Sequence, residues 1–329
     1  MQLSENSQTG EKIVSALTDC AHIFFMDGVG LGGDDPAVNP FVRAHLPHLT
    51  DLLGEGWYLQ TNEIRSTARA TLAPTDATMG VAGRPQSATG QATILTGRNV
   101  PRLLGRHYGP KPNSAVAEVL RAGSLFQEVV DAGGGAALIT PYPQQYFEAI
   151  DSGRRLLSAV PLAATSAGLS LMTADDLQKG RAVSPNFTGE GWRTHLGYDN
   201  IPLLTLEAAG RQIATVARRY HFSFFEHWPS DRLGHRGTLE EAVQHLERID
   251  AVLGGLLDAW DDSGLLIITS DHGNIENKSY RQHTENPVPT ILIGPGHATL
   301  AAMIDNLSDL ARVVRRHLAL DHQETTAAS

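Results

Sequence analysis

Metal-binding types of side chain recur in this sequence, each just beyond a run of apolar residues. The clearest case is Asp271-His272-Gly273, which follows the apolar run Leu265–Thr269. Aspartate and histidine offer the oxygen and nitrogen ligands that Zn²⁺, Mn²⁺ and related divalent ions prefer. Three aspartates and three histidines in separate loops therefore predict a ligand set for two metal ions. The six residues are Asp27, Asp231, His235, Asp271, His272 and His283.

Each of these residues also has an ordinary explanation when it is taken alone. An aspartate after a strand, such as Asp27, is commonly a turn residue or a helix cap. Asp231 and His235 are close enough to bind one ion on a helical turn, but they also suit a polar turn next to Pro229. His283 by itself is typical of a surface loop. The metal-site hypothesis therefore depends on the combination of residues.

A hydroxyl group completes the pattern. Ser87 lies in a Gly/Pro-rich loop, residues 83–91, where a helix is predicted to begin. A metal ion would favour its alkoxide, and a helix N-terminus would favour a bound phosphate. Thr89 and Thr93 are competing hydroxyls, and Ser87 could simply cap the helix. Two ions beside a hydroxyl can activate an oxygen nucleophile and hold phosphoryl oxygens, which indicates phosphoryl transfer.

The predicted strands and helices that would position these residues indicate an α/β domain. Apolar runs of strand length do not alternate with polar residues, so they suit strands buried on both faces. Helical patterns lie between them, and Ala242, Leu246, Ile249 and Leu253 give the clearest one. The predicted strands are His22–Met26, Ala136–Thr140, Phe222–Phe225, Leu265–Thr269 and Thr290–Ile293. The predicted helices are Ser114–Ala132, Glu207–Tyr220, Leu239–Trp260 and Ile304–Leu320.

This alternation predicts a doubly wound, mainly parallel sheet sandwiched by helices, which binds ligands beyond the carboxyl ends of its strands. Prolines, glycines and polar residues interrupt the pattern between about 141 and 202. We interpret 141–202 as a small inserted cap, and 19–140 with 203–320 as the enzyme core. The ends, 1–18 and 321–329, are expected to be flexible.

Charge and composition narrow the possible partners. The formal net charge is -10, which argues against a nucleic-acid backbone as the main partner. Cys20 is the only cysteine, so an intrachain disulfide framework and a cysteine-based zinc site are excluded. The first twenty residues lack a secretory-signal pattern, and no apolar segment is long enough to span a bilayer. These features predict a cytoplasmic enzyme that acts on a small phosphorylated substrate, while the oligomeric state stays open.

The motifs resemble the alkaline phosphatase superfamily of metalloenzymes, and most closely its cofactor-independent phosphoglycerate mutase and phosphopentomutase branch. The mutase's nucleophile segment, Asn-Ser-Glu-Val-Gly-His, resembles residues 86–91, and its following Gly-Arg falls on Gly97-Arg98. Its Asp-x-x-x-His falls on Asp231 and His235, and its Asp-His-Gly-Asn on 271–274. Its His-Thr-x-Asn-Pro-Val-Pro falls on 283–289. The resemblance covers the whole predicted core.

The resemblance implies a division of labour among these residues. Ser87 would be the nucleophile and would form a phosphoserine intermediate. One ion would use Asp27, Ser87, Asp271 and His272, and the other would use Asp231, His235 and His283. The expected cofactors are two divalent ions per chain, Mn²⁺ or Zn²⁺, with Mg²⁺ as a third option.

Two departures from the family pattern bear on the reaction. Gln91 stands where the mutase has histidine, and Ala88 stands where it has an acidic residue. The mutases also carry large arginine-rich inserted domains, whereas this chain has about sixty cap residues. We expect Arg193, Arg98 and Arg154 to bind substrate, with solvated surface as the alternative for each.

The small cap favours hydrolysis, because a mutase must retain and reorient its product in a closed site. We therefore predict a phosphatase or phosphodiesterase. A phosphomutase acting on phosphoglycerate or a sugar phosphate is the alternative. A non-catalytic or sulfate-ester-acting relative of the same fold is the more distant alternative, although none of the expected ligands is missing.

Overall fold

The computed structural model describes residue 17 and residues 19–320. The flexible ends expected at 1–18 and 321–329 lie outside these residues, apart from Leu17. A seven-stranded sheet runs through the middle of the molecule in the order β2-β3-β7-β6-β1-β5-β4. The strands are β1 (Ala21–Met26), β2 (Arg65–Ser66), β3 (Ala70–Thr75), β4 (Ala136–Leu138), β5 (Phe222–His227), β6 (Leu265–Thr269) and β7 (Val288–Ile293).

Four adjacent strands, β4, β5, β1 and β6, are parallel, and β7 and β3 extend the sheet in antiparallel pairings. The prediction of a mainly parallel sheet is thus confirmed. Successive side chains of a strand point to opposite faces, and here both faces are covered. In β1, Ile23 and Phe25 pack on one side of the sheet while Phe24 packs on the other. This double burial explains the unbroken apolar runs.

Helices form the layers on both sides of the sheet. They are α1 (Pro47–Leu53), α2 (Ser87–Thr96), α3 (Val100–Leu104), α4 (Ser114–Arg121), α5 (Leu125–Asp131), α6 (Gln144–Asp151), α7 (Ala159–Ser166), α8 (Ala174–Gln178), α9 (Glu190–Leu196), α10 (Leu206–Ala217), α11 (Pro229–Arg236), α12 (Leu239–Ala259), α13 (His297–Ala301) and α14 (Asp309–His317), with a 3₁₀ turn at Pro40–Val42. Within the described residues, no helix is both long enough and apolar enough to cross a membrane.

Two of the predicted helices differ from the structure. The single helix predicted over Ser114–Ala132 is two helices, α4 and α5, because Gly123 breaks it with a φ of +148°. The helix predicted from Ile304 begins only at Asp309. Asp309 accepts hydrogen bonds from the backbone N–H groups of Asp305 and Asn306, which holds the preceding residues in a turn. Periodicity does not detect such local carboxylate bonds.

The segment expected to form a cap, 141–202, contains α6 to α9. Helix α7 packs against α2 and α4, and its buried Val160 and Ala163 join the main core. A small separate cluster forms around Trp192 with Leu177 and Ile201. Part of this segment therefore belongs to the helix layer of the sheet domain, and the domain boundary stays a prediction.

Candidate active site

The site lies at the carboxyl ends of three neighbouring parallel strands. Asp27 directly follows β1, Asp271 and His272 follow β6, and Asp231 lies in α11 just after β5. Parallel strands end at the same edge of a sheet, so residues distant in sequence converge there. Gly28 has a φ of +73°, and a Cβ at this position would lie 2.9 Å from Asp231. Glycine therefore allows the loop after β1 to approach α11.

Asp27, Asp271 and His272 form the first cluster of possible metal ligands, and Ser87 adjoins it. Nε2 of His272 lies 3.0 Å from Ser87 Oγ, 3.3 Å from Asp27 Oδ1 and 3.7 Å from Asp271 Oδ1. Three oxygens thus converge on one ring nitrogen, which has at most one proton to donate. Asp27 Oδ1 and Asp271 Oδ1 are buried and have no hydrogen-bond partner among the described residues.

Asp231, His235 and His283 form the second cluster. Oδ1 of Asp231 lies 3.3 Å from His235 Nε2 and 3.5 Å from His283 Nε2, and these two nitrogens are 3.1 Å apart. Nδ1 of His283 donates to Pro85 O at 2.8 Å, and Nδ1 of His235 donates to Arg281 O at 3.0 Å. Carbonyl oxygens only accept hydrogen bonds, so each ring keeps its Nε2 lone pair for a ligand.

The two clusters are in contact with each other. The rings of His272 and His283 stack with centroids 3.6 Å apart. Asn274 donates to Asp231 Oδ1 at 2.7 Å and fixes that carboxylate between the clusters. The structure therefore brings together all six predicted ligands and Ser87.

The first cluster buries the carboxylates of Asp27 and Asp271, and two buried negative charges are unfavourable unless a cation lies beside them. Burial and the neighbouring Asp271 raise the pKa of Asp27 to about 7. Burial acts against the charge on His272, but Asp271 and Asp27 beside it raise its pKa to about 10. A proton on His272 thus partly neutralises two carboxylates that have little access to water. Because the donors are oxygens and nitrogens and two carboxylate oxygens lack partners, the residues fit divalent metal ions.

Comparison with known proteins finds a family match over part of the chain and similar folds among solved structures. Residues 199–322 match the family described as the Metalloenzyme superfamily. The matched residues include five of the six predicted metal ligands, Asp231, His235, Asp271, His272 and His283. In solved structures, the fold is similar to the PH0037 protein from Pyrococcus horikoshii, with a TM-score of 0.54 and 13% identity over 93% of this chain and 98% of that one. The alkaline phosphatase from the Antarctic bacterium TAB5 gives a TM-score of 0.51 and 12% identity over 92% and 99%.

Curated relatives are 2,3-bisphosphoglycerate-independent phosphoglycerate mutases. That of Thermomicrobium roseum is 32% identical over 123 residues, which are 34% of this chain and 24% of the relative. That of Picosynechococcus is 33% identical over 150 residues, which are 40% of this chain and 29% of the relative. The matched part of the chain thus spans only about a quarter of these relatives' length.

Ser87 is the first residue of α2, and it is only 7% exposed. The competing hydroxyls are engaged elsewhere. Thr89 Oγ1 donates to Gln86 O, and Thr93 Oγ1 donates to Thr89 O. Of the three hydroxyls, Ser87 is the one that contacts a predicted ligand, through Oγ and His272.

Sequence reasoning did not assign a role to two further polar residues of the site. The side-chain amide of Gln91 donates to Asp271 Oδ2 at 3.1 Å and to Asp27 Oδ2 at 3.4 Å. Glu276 is buried, and it accepts from the backbone N–H groups of Gly30 and Asn274 at 3.0 and 2.7 Å. Gln91 was noticeable only as a departure from the family histidine, and Glu276 lies two residues beyond the recognised motif.

Two cavities of about 890 and 650 Å³ adjoin the site, and Ser87 and Asp231 line both. None of the three predicted substrate-binding arginines lines either cavity in the described part of the chain. Arg193 donates to Ile201 O at 2.6 Å, and Arg154 donates to Ser152 Oγ at 2.9 Å. Arg98 follows the C-terminal end of α2, roughly 15 Å along the helix from Ser87. The arginines that do line the cavities are Arg84, Arg106, Arg155 and Arg232.

Proposed function

We propose that this chain is a two-metal-dependent phosphoryl-transfer enzyme that hydrolyses a small phosphate ester through a phosphoserine at Ser87. One observation carries the proposal. The Ser87 hydroxyl lies at a helix N-terminus, 3.0 Å from His272, next to two clusters of metal-type ligands that touch each other.

The proposed ions would be held by separate groups of residues. Asp27, Asp271, His272 and Ser87 would hold one ion, and Asp231, His235 and His283 would hold the other. When bound, Mn²⁺ or Zn²⁺, with Mg²⁺ as a third option, would supply Lewis-acid stabilisation of the nucleophile, the phosphoryl oxygens and the leaving oxygen.

The chain's own residues would perform the remaining tasks. Ser87 Oγ attacks phosphorus, the bond to the ester oxygen breaks, and the alcohol leaves with a proton. The N-terminal end of α2 adds a partial positive charge that favours a phosphoryl group attached to Ser87. Water then attacks the phosphoserine, which releases inorganic phosphate and restores the hydroxyl. The net reaction consumes one water for each ester.

The small segment at 141–202 supports hydrolysis over transfer back to the product. Its four helices are short, and the cavities that Ser87 lines offer water a route to the phosphoserine. A phosphomutase is the second candidate, because the curated relatives carry that name. We further propose a cytoplasmic location and no nucleic-acid or membrane partner, and the net charge of -10 supports the absence of a nucleic-acid partner.

Reaction in ¹⁸O-labelled water tests the proposal. The purified chain is given p-nitrophenyl phosphate, bis-p-nitrophenyl phosphate, 3-phosphoglycerate and ribose 5-phosphate, with Mn²⁺, Zn²⁺ and Mg²⁺ supplied separately. We expect labelled inorganic phosphate to form at the rate of ester loss with at least one metal.

Two other outcomes would contradict the proposal in different ways. Isomerised sugar phosphate or phosphoglycerate without released phosphate would identify a mutase. No turnover of any ester with any metal would remove phosphoryl transfer altogether.

A further inference from the structure

Glu226 breaks the apolar pattern on one face of β5, one residue before the carboxyl end of the strand, where the site lies. Phe222, Phe224 and Glu226 alternate along the strand and therefore point to the same face of the sheet. The first two are fully buried in the core on that face. The third is a carboxylic acid that is only 6% exposed. A buried carboxyl group at the carboxyl end of a core strand needs a hydrogen-bonding partner.

Within the described residues, only one of the two side-chain oxygens of Glu226 has a hydrogen-bond partner. Tyr142 Oη donates to Glu226 Oε2 at 2.8 Å. No hydrogen bond to Oε1 is found among the described residues. Burial raises the pKa of Glu226 to about 7, against the effect of the Tyr142 hydrogen bond and with a smaller contribution from Asp27. One oxygen of the acid is thus available to a ligand.

This oxygen belongs to a residue that lines the cavity of about 650 Å³ shared with Ser87. Its lining includes two tyrosines and two tryptophans, and Tyr142 stacks on Tyr146 with centroids 4.4 Å apart. A cavity that adjoins the proposed nucleophile and carries one accepting carboxylate would hold the alcohol part of an ester.

We propose that Glu226 accepts a hydrogen bond from a hydroxyl group of the leaving alcohol, so that the enzyme prefers phosphate monoesters of neutral polyols. This inference rests on the proposed hydrolysis at Ser87. It makes Glu226 a specificity-determining residue with no part in the bond-breaking step.

Leaving groups that carry a carboxylate or an ammonium group fit this cavity less well than a polyol. A carboxylate on the leaving group, as in phosphoglycerate, would place a second negative charge beside Glu226. An ammonium group would be attracted by Glu226, but it would be repelled by two arginines, Arg155, which lies over the Tyr146 ring at 4.8 Å, and Arg232, which lines the same cavity. A hydroxyl donates to Glu226 without either repulsion.

Matched substrates test the preference. The metal-loaded enzyme is assayed at pH 8.5, above the pKa of about 7 for Glu226, with glycerol 3-phosphate, n-propyl phosphate, 3-phosphoglycerate, O-phosphoethanolamine and p-nitrophenyl phosphate. Glycerol 3-phosphate and n-propyl phosphate share chain length and phosphate charge and differ only in hydroxyl groups. We expect kcat/KM for glycerol 3-phosphate to exceed that for the other three alkyl esters by about 10- to 100-fold, the range for a hydrogen bond to a charged group.

Substitutions of Glu226 test whether this residue causes the preference for glycerol 3-phosphate. Glu226→Leu should bring the ratio of glycerol 3-phosphate to n-propyl phosphate close to one, by lowering kcat/KM for glycerol 3-phosphate alone. Glu226→Gln, which keeps a neutral hydrogen bond to the substrate, should retain an intermediate ratio. The control is Glu118→Gln, an exposed carboxylate on α4 that lies outside the cavity. It should leave every rate unchanged.

The possible failures are distinguishable. If p-nitrophenyl phosphate is hydrolysed but the wild-type enzyme shows no hydroxyl preference, the Glu226 inference is wrong and the proposed function stands. An equal loss for both esters in Glu226→Leu and Glu226→Gln would show a purely structural role and also overturn it. If no ester is hydrolysed, the proposed function itself fails.

Discussion

At the scale of single residues, hydrogen bonds to the backbone fix which ring nitrogen each histidine presents. In both His235 and His283, Nδ1 donates a hydrogen bond to a backbone carbonyl oxygen, so Nε2 faces Asp231. This arrangement sets the tautomer before any ion binds and reduces the reorganisation that binding requires. A neutral histidine without such a hydrogen bond would populate both tautomers.

Ser87→Ala should lower kcat by at least about 10³-fold, because it removes the proposed nucleophile and one metal ligand together. The substitution deletes one hydroxyl at the start of a helix, so the far-ultraviolet circular dichroism should not change. Steady-state kinetics on p-nitrophenyl phosphate with saturating metal measures the effect.

Thr89→Ala is the matched control for this experiment. It deletes a hydroxyl two residues away that donates to Gln86 O and accepts from the backbone N–H of Tyr108. We expect a loss of about 1 kcal/mol in stability and a kcat within tenfold of the wild type. The reverse result, with Thr89→Ala inactive and Ser87→Ala active, would show that the nucleophile had been assigned to the wrong hydroxyl.

The metal-type ligands could be predicted from the sequence because they lie in short motifs directly after apolar runs. Gln91 and Glu226 could not, since their roles depend on partners far away in the chain. Gln91 contacts Asp271 across 180 positions, and Glu226 contacts Tyr142 across 84. The arginine predictions had no local motif behind them, and Arg193 is instead bonded to Ile201 O.

At the scale of secondary structure, the position of Ser87 depends on how closely α2 packs against the loop after β6. Gly90 lies on the contacting face of α2, and a Cβ there would lie 2.9 Å from Asp271 Cβ and 3.1 Å from Asp271 O. Both atoms belong to a fully buried residue that has little freedom to move.

Gly90→Ala should therefore lower kcat/KM by at least about tenfold by displacing α2. Alanine favours helix by about 1 kcal/mol over glycine, so an undisturbed helix would become more stable. We expect no such gain, and thermal unfolding with kinetics measures both effects. Gly33→Ala is the control, because a Cβ there has no neighbour within 4 Å. A more stable and fully active Gly90→Ala would contradict the packing argument.

Strand β1 carries a buried histidine that should make stability depend on pH. Burial lowers the pKa of His22 to about 3, and its Nε2 has no hydrogen-bond partner among the described residues. The unfolded chain titrates near 6.5, so unfolding takes up a proton between pH 6.5 and 3. Stability from His22 is present above pH 6.5 and is lost as the pH falls, by about 1.4 kcal/mol per pH unit.

His22→Leu should reduce the slope of unfolding free energy against pH by about one proton between pH 4 and 6. Denaturant unfolding with a chelator present measures the slope. Ile267→Val, a change in the neighbouring core strand β6, should lower stability at every pH without altering the slope. An unchanged slope in His22→Leu would mean that His22 is protonated in the folded protein.

The sequence predicted the long buried strands but missed β2 and β3. Strand β3 contains Pro74, two alanines and two threonines, so it has no apolar run, and it becomes a strand by pairing with β7. Strand β2 has only two residues. Tertiary pairing decides such segments, and local composition does not reveal it.

At the scale of the whole molecule, the two clusters join segments that are far apart in the chain. Asp27 and His283 are separated by more than 250 positions, and α2, α11 and the loops after β1 and β6 all contribute. Ions that bind the folded arrangement and not the unfolded chain stabilise the entire domain. Metal content should therefore be readable from global unfolding as well as from activity.

Saturation with Mn²⁺ or Zn²⁺ should raise the Tm by roughly 5–10 °C over the chelated protein. An ion at 100 times its Kd contributes about 2.7 kcal/mol for each site, and two sites double that value. Asp27→Asn should lose one ion, and His283→Ala should lose the other, each keeping about half of the shift. Elemental analysis and differential scanning calorimetry of the same samples measure both quantities.

Because the two clusters touch through the rings of His272 and His283, a loss of both ions in either variant would show that they bind cooperatively. An identical Tm with metal and with chelator, and no bound metal in the wild-type protein, would rule out the two-metal proposal.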